Sequence, residues 1–91
     1  MSEAKTTTDH ATIQQWIEDR GGQPASVVGT SAGNEPGVLR VDFPPDDNRL
    51  EEVDWDGFFK KFDQEELAFL YQEKTGDGET SRFCKFIRKP R

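Results

Sequence analysis

The chain has 91 residues, of which 33% are charged and 32% hydrophobic, and its formal net charge is −6 at pH 7. This length excludes more than one domain of ordinary size, and the single cysteine, Cys84, excludes an internal disulfide framework. No stretch approaches the roughly 20 apolar residues of a membrane span, and the amino-terminal residues hold no apolar run, so we expect an acidic, soluble, cytoplasmic protein without a membrane partner.

A short polar segment precedes the first predicted helix. Residues 1–7 are small and polar without periodicity, and we expect them to be disordered. Thr8 or Asp9 is the expected N-cap of a helix that runs to about Arg20, where two glycines end it. The apolar stripe of this helix, at spacing i, i+3 and i+4, consists of Ile13, Trp16 and Ile17.

The next predicted unit is a β-hairpin. Ala25–Thr30 is rich in β-branched residues and is bounded by turn formers, which predicts a strand. After a loop over Ser31–Gly37, Val38–Phe43 predicts a second strand. Apolar and polar side chains alternate in that strand, which indicates one buried and one exposed face of the sheet. The apolar positions are Leu39, Val41 and Phe43, and the polar ones are Arg40 and Asp42.

An acidic loop leads to the second predicted helix. Pro44–Glu52 begins with two prolines that end the strand and continues with several carboxylates. The helix covers Asp54–Phe62, with Asp54 as its N-cap and two lysines in its last turn, where cations are favourable. Its large apolar residues, at spacing i, i+3, i+4 and i+7, are Trp55, Phe58, Phe59 and Phe62.

The last third of the chain admits two interpretations. Asp63–Glu66 has the form of a capping box, which would start a third helix through Leu67–Glu73. Alternatively, the apolar runs in Leu67–Tyr71 and Arg82–Lys89 flank an Asp-Gly turn, which is typical of a second hairpin. We predict the hairpin, and the helix stays open as the alternative.

Together these elements predict an α+β fold with the order αββαββ. It has two layers, in which an antiparallel sheet of about four strands packs on two helices. We expect a single domain over residues 8–89, in which an αββ pattern occurs twice, at about 9–43 and 54–88, as a weak internal repeat. The predicted core consists of Trp16, Phe43, Trp55, Phe58, Phe59, Phe62, Leu67 and Phe69.

Five segments of the chain carry a resemblance to known proteins: Trp16–Ala25, Gly37–Pro44, Trp55–Phe62, Leu67–Glu73 and Ser81–Phe83. Together they cover most of residues 8–88 and resemble a family of small bacterial proteins of unknown function, whose members are often labelled 1,4-α-glucan branching enzyme. The resemblance implies one domain that contains the second hairpin, and it supplies no catalytic residue. A branching enzyme is built on a (β/α)₈ barrel of about 250 residues, so that activity is not expected here.

Three features contain residue types that can take part in catalysis or metal binding, and each also has a structural explanation. His10 is the only histidine and lacks an evident nucleophile partner, so we expect a first-turn helix residue rather than a general base. Cys84 has basic neighbours that lower a thiol pKa, but free cysteine is most often a small buried hydrophobe. The acidic stretch Asp42–Asp56 does not match the spacing of a calcium loop. The sequence therefore predicts no catalytic, cofactor-binding or metal-ligating residue; it favours a protein that is not an enzyme and leaves that question open.

The C-terminal stretch reverses the charge of the rest of the chain. Residues 80–91 hold five basic and no acidic side chains. Basic residues interleaved with aromatic ones are typical of single-strand nucleic-acid platforms and also of edge strands that lysine keeps soluble. The candidate anion or nucleic-acid contacts are Arg82, Lys85, Arg88 and Lys89.

The sequence predicts function only in broad terms. We expect a small non-catalytic interaction or regulatory module with an unidentified protein partner. Nucleic-acid binding through the basic C-terminal strand is the first alternative. The second is a carbohydrate-linked accessory domain, in which exposed rings stack on sugars; the candidate rings are Trp16, Trp55 and Tyr71. An unpaired edge strand is compatible with a monomer or a weak homodimer.

Overall fold

The computed structural model describes residues 4–30, 37–45 and 48–89, which form two helices and six strands. In chain order the elements are β1 (Ala4–Thr7), α1 (His10–Asp19), β2 (Gln23–Val27), β3 (Leu39–Asp42), β4 (Leu50–Glu52), α2 (Trp55–Gln64), β5 (Leu67–Gln72) and β6 (Cys84–Arg88). The strands form two antiparallel sheets of three strands each, with the orders β1-β5-β6 and β3-β2-β4. The α+β class is confirmed.

Both predicted helices are present, and the same capping interaction begins each of them. The side chains of Asp9 and Asp54 accept a hydrogen bond from the backbone N–H three residues later, at 2.9 and 2.7 Å. Just beyond each helix one residue adopts the left-handed conformation, Gly21 with a φ of 71° and Glu66 with a φ of 53°. Neither of these two described helices has the length and hydropathy that crossing a membrane requires.

Both predicted hairpins are confirmed, since β2 pairs with β3 and β5 pairs with β6. β5 occupies the residues for which a third helix was the alternative, so that alternative is wrong. The first strand lies at Gln23–Val27, earlier than predicted, and includes Pro24. Proline is tolerated there because its nitrogen faces away from β3, and its carbonyl accepts a hydrogen bond from the Val53 N–H at 3.1 Å. Residues 31–36 of the predicted loop lie outside the described residues.

Two short strands that the sequence did not predict change the arrangement of the sheets. Ala4–Thr7 form β1 on the edge of β5, although we predicted disorder for residues 1–7; residues 1–3 lie outside the described part of the chain. β4 pairs with β2 inside the predicted acidic loop. Both strands are short and mostly polar, so neither has the apolar alternation that indicates a strand. The predicted two-layer αββαββ arrangement, with a single sheet of about four strands packed on two helices, is therefore wrong. Each hairpin instead pairs with a strand from the other half of the chain, which gives two sheets of three strands.

The chain consists of two βαββ halves. The two helices begin 45 positions apart, at His10 and Trp55, and so do β3 and β6, at Leu39 and Cys84. The left-handed residues that follow the helices have the same offset. Each half gives its first strand to the other half, because β1 pairs with β5 and β4 pairs with β2. The weak αββ repeat in the sequence thus corresponds to a structural repeat whose halves exchange strands.

A continuous cluster of aromatic rings joins the helices to the sheets. The Trp16 ring lies 5.4 Å from Phe69, which lies 5.5 Å from Phe86, which in turn lies 5.8 Å from Phe58. Of the predicted core, Trp16, Phe58, Phe59, Phe62 and Phe69 are buried, and Phe43, Trp55 and Leu67 are partly buried against the cluster. The buried residues of this cluster that were not in the predicted core are Ile13, Ile17, Leu39 and Tyr71.

Arg20 ties the loop of the second hairpin to the end of α1. Its guanidinium lies 4.2 Å from the centroid of the Trp16 ring and donates hydrogen bonds to the backbone carbonyls of Glu73 and Ser81. A carbonyl that loses such a donor away from water is left unsatisfied at a cost in free energy. Arg20 therefore holds both ends of the connection between β5 and β6.

We expect Gly22→Ala to destabilise the domain by about 1–3 kcal/mol, the usual cost of overpacking. A methyl group here would lie 2.8 Å from Cε1 of Phe43 and 3.1 Å from Cγ2 of Ile17, and both residues pack in the core. The matched control is Gly76→Ala, where a methyl group meets no atom within 4 Å and the stability should change by less than about 0.5 kcal/mol. Urea denaturation measures both variants; equal stabilities would contradict the close packing of Phe43 and Ile17 against Gly22.

Candidate functional site

A groove lies where the edge of β3 faces the edge of β6. Two clefts of about 400 and 420 Å³ make up this β3–β6 groove, and they adjoin because Arg40 and Phe86 line both. The two strands belong to different sheets, and no strand pairing joins them in the part of the chain that the structure describes. The larger apolar side chains that line the groove are Val38, Leu39, Val41, Phe43, Leu67 and Phe86, and Cys84 lines it as well.

The backbone of β3 presents pairing positions to the groove. In an antiparallel pair, residues that exchange hydrogen bonds alternate with residues whose N–H and C=O point away from the partner strand. Val27 N–H donates to the carbonyl of Val38 at 2.9 Å, so this pair is of the first kind. The alternation then directs the backbone groups of Leu39 and Val41 into the groove. There the Leu39 carbonyl accepts a hydrogen bond from the guanidinium of Arg40 at 2.8 Å.

The backbone of β6 does the same from the opposite side. Gln72 N–H donates to the carbonyl of Phe83 at 3.2 Å, so the backbone groups of Cys84 and Phe86 point away from β5 and into the groove. These two residues lie 45 positions after Leu39 and Val41, their counterparts in the first half. Two strand edges without a partner strand therefore face each other at equivalent positions of the repeat.

Three cations without an acidic partner lie along this groove. They are Arg40, Arg82 and Lys85, and none of the described carboxylates forms an ion pair with them. The other charged residues of the lining, Lys61 and Glu65, pair with each other at 3.0 Å. Within the ranges that the structure describes, the groove thus has three cations without an ion-pair partner, in a chain whose net charge is −6.

The structure brings two of the four candidate anion contacts into the groove and leaves two outside. Arg82 and Lys85 line it, whereas Arg88 and Lys89 follow toward the C-terminal end of β6 and do not. Arg40 is a groove cation that the sequence prediction missed. Its signal was the repeat itself, because the offset of 45 residues makes Arg40 the counterpart of Lys85.

His10 connects the two helices. Its ring stacks on Phe59 with the centroids 4.2 Å apart, and its Nε2 lies 2.9 Å from Oδ1 of Asp63. The side chains of this pair are 44% and 55% exposed, so the contact between them contributes little to stability. Stacking on the core is therefore the main structural contribution of His10.

The acidic stretch has structural uses where the structure describes it. Asp54 caps α2, and Glu51 and Glu52 lie in β4. Asp46 and Asp47 lie outside the described residues. Among residues 4–30, 37–45 and 48–89, no group of three or more His, Cys, Asp or Glu side chains is placed to hold a metal ion.

Two of the three rings considered for sugar stacking are buried. Trp16 is 5% exposed and Tyr71 is 7% exposed, and the indole N–H of Trp16 donates to the carbonyl of Gln72 at 3.2 Å. Trp55 is half-buried and stacks on Phe59. A sugar needs an open aromatic face, so the burial of these rings weighs against carbohydrate stacking at Trp16 and Tyr71.

Burial makes Cys84 a poor nucleophile. The side chain packs against the core cluster, and burial raises the pKa of the thiol to about 11, outweighing the lowering effect of nearby Arg20. A cysteine attacks as its thiolate, which is a small fraction of this group at neutral pH. The idea of a thiol activated by its basic neighbours is therefore not supported, and Cys84 forms part of the groove wall.

We expect the free energy of unfolding to fall by about 2 kcal/mol as the pH rises from about 9 to about 11, because of the ionisation of Cys84. The thiol ionises near pH 9 in the unfolded chain but stays protonated to about pH 11 in the folded one. The unfolded state therefore binds fewer protons in this window and becomes favoured. Urea denaturation of wild type and Cys84→Ala across the window isolates the effect, because the two proteins differ in no other side chain. The free energy of unfolding should fall less steeply with pH in Cys84→Ala than in wild type. If it falls equally in both, the thiol is solvated in the folded protein.

No family model, no curated protein and no solved structure shows significant similarity to this chain. The resemblance to small bacterial proteins that the sequence suggests therefore stays a prediction.

Proposed function

We propose that this protein is a small non-catalytic interaction module that holds an extended segment of a partner protein in the β3–β6 groove. The observation that supports this best is the pair of strand edges that face each other without a partner strand. Backbone groups of Leu39 and Val41 on one side, and of Cys84 and Phe86 on the other, are directed at the space between them. An extended chain that enters this space gains ladder hydrogen bonds, as in β-strand addition.

The groove also offers such a segment apolar surface without rearrangement of the core. Leu39, Leu67 and Phe86 pack in or against the aromatic cluster and line the groove as well. Val38 lies at one end of the groove with 46% of its surface exposed. Sites that are already formed in the free protein bind with a smaller ordering cost than sites that must be assembled.

Hydrogen exchange of the free protein tests the geometry of the proposed site. We call the backbone N–H groups of Leu39, Val41, Cys84 and Phe86 the groove-facing amides. They should exchange at least about tenfold faster than the amides of Arg40 and Lys85, which point into the sheets. These alternate residues are internal controls, because they lie on the same strands. Equal protection along β3 and β6 would contradict the open edges.

Selection of a displayed library of random peptides on the immobilised protein tests binding itself. We expect the selected peptides, added in solution, to shift the amide resonances of the four groove-facing residues and to slow their hydrogen exchange. Shifts confined to other surfaces would contradict the proposal. So would the failure of repeated selection to enrich any sequence.

Single-stranded nucleic acid is the second candidate, because one aromatic ring is available beside the cations. Phe83 is 49% exposed and stands between Arg82 and its other basic neighbour, Lys85, in the sequence. An exposed ring among cations can stack on a base while the cations contact phosphates. The net charge of −6 opposes the approach of a polyanion, which places this candidate second.

A fluorescent oligo(dT) strand tests the nucleic-acid candidate. If Phe83 stacks on a base, Phe83→Ala should weaken binding about tenfold. Val38→Ala is the matched control, because Val38 has the equivalent position before β3 and is 46% exposed. Three phosphate contacts would also lower the affinity about tenfold between about 50 and 150 mM salt. No binding at low salt, or equal effects of the two substitutions, would remove this candidate.

A further inference from the structure

The two sides of each groove strand differ in chemistry. Because successive side chains of a strand point to opposite faces, Leu39 and Val41 point toward the core and Arg40 points away from it. On β6, Phe86 points toward the core and Lys85 points away. The groove therefore has an apolar floor and a cationic rim.

The rim cations are available to a ligand. Arg40 donates to a carbonyl of its own strand and Arg82 lies over the ring of Phe43 at 5.7 Å, while Lys85 is exposed. None of them has a carboxylate partner within the part of the chain that the structure describes. A neutral segment that covers these cations would displace their water and leave the desolvation cost without compensation. Carboxylates would offset that cost by forming charge-assisted hydrogen bonds with the cations.

We infer that the partner segment is an extended strand in which apolar and acidic residues alternate. This inference rests on the proposed function and names the chemistry of its ligand. A strand added to either edge turns every second side chain to the same face. Its apolar side chains meet the floor at Leu39 and Phe86, and its carboxylates meet the rim at Arg40, Lys85 or Arg82.

Because of the repeat, each of the two strand edges has a rim cation at the same position. Arg40 and Lys85 are 45 positions apart and hold equivalent places on β3 and β6. A strand that pairs with β3 meets Arg40 at the register where a strand that pairs with β6 meets Lys85. The alternation of acidic and apolar residues is therefore required whichever edge the segment joins.

A nucleic-acid strand satisfies only part of this arrangement. Its phosphates match the cationic rim, but it has no backbone that continues a β-ladder at Leu39, Val41, Cys84 and Phe86. An alternating acidic peptide matches the rim, the floor and the strand edges together. The observations therefore favour the peptide, and oligonucleotide binding is an outcome of the test.

Titration of the full chain with designed heptapeptides, followed by amide resonances, tests the inference. The acidic probe is Val-Glu-Val-Glu-Val-Glu-Val, and three controls replace Glu by Gln, replace Glu by Lys, or place the four Val before the three Glu. We expect the acidic probe to shift the groove-facing amides and to bind at least about tenfold more tightly than every control.

Charge-reversing variants locate the contact. Arg40→Glu and Lys85→Glu should each weaken the acidic probe at least about tenfold, whereas Lys60→Glu, with the same change of charge on an exposed part of α2 outside the groove, should change it less than about twofold. The lysine probe should in turn bind Arg40→Glu more tightly than wild type. This gain distinguishes a charge contact from a folding defect, because a misfolded variant binds neither probe.

The outcomes separate this inference from the function on which it rests. If the glutamine probe shifts the groove-facing amides as strongly as the acidic one, the groove binds peptides but the acidic specificity is wrong. If all three variants weaken the acidic probe equally, general electrostatic attraction explains binding and the inference is overturned. If no peptide, designed or selected, shifts the groove-facing amides, the proposed function itself fails. If oligo(dT) shifts the resonances of these amides and no peptide does, the groove is a nucleic-acid site rather than a peptide site.

Discussion

The fold depends on the hydrogen bonds that the first strand of each half makes with the other half. β1 pairs with the outer edge of β5, and β4 pairs with the outer edge of β2, so neither sheet is built from one half alone. An isolated hairpin is marginal in water, and a third strand with packing on an apolar face is what usually makes it stable. Each half therefore needs the other to complete its sheet. The ring contacts of Trp16 with Phe69, and of Phe58 with Phe86, lie in the core that this pairing encloses.

The exchange of strands also decides where the groove lies. Once β1 covers β5 and β4 covers β2, the inner edges of β3 and β6 are left facing each other across the space that Arg40 and Lys85 line. Direct pairing of these edges would produce one continuous sheet. Like charges on neighbouring strands oppose such pairing. An acidic strand of the kind we propose would bring carboxylates into this space and reduce that repulsion, so the same cations would oppose pairing of the two sheets and attract the proposed ligand.

The parts of the fold that could be predicted from the sequence are those with local signals. Asp9 and Asp54 as caps, and the apolar stripes behind them, predict both helices, and alternation beside turn residues predicts both hairpins. β1 and β4 could not be predicted, because Lys-Thr-Thr and Leu-Glu-Glu carry no periodic signal and their partners lie in the other half of the chain. The groove was missed for the same reason. The basic run around Lys85 is visible in the sequence, but Arg40 lines the same groove only through the arrangement of the two sheets.

The groove cations also bear on whether two copies of the chain would pair with each other. Exposed strand edges readily associate with identical edges, and charged residues are a common means of preventing it. Groove-to-groove contact would bring Arg40, Arg82 and Lys85 of one copy against the same three residues of the other, and none of them has a carboxylate partner among the described residues to reduce the repulsion. An acidic strand meets the opposite situation, because each carboxylate it brings replaces a repulsion with an attraction. In the proposed function, the same three side chains would oppose self-association and attract the acidic strand, so the edge would stay available for its ligand.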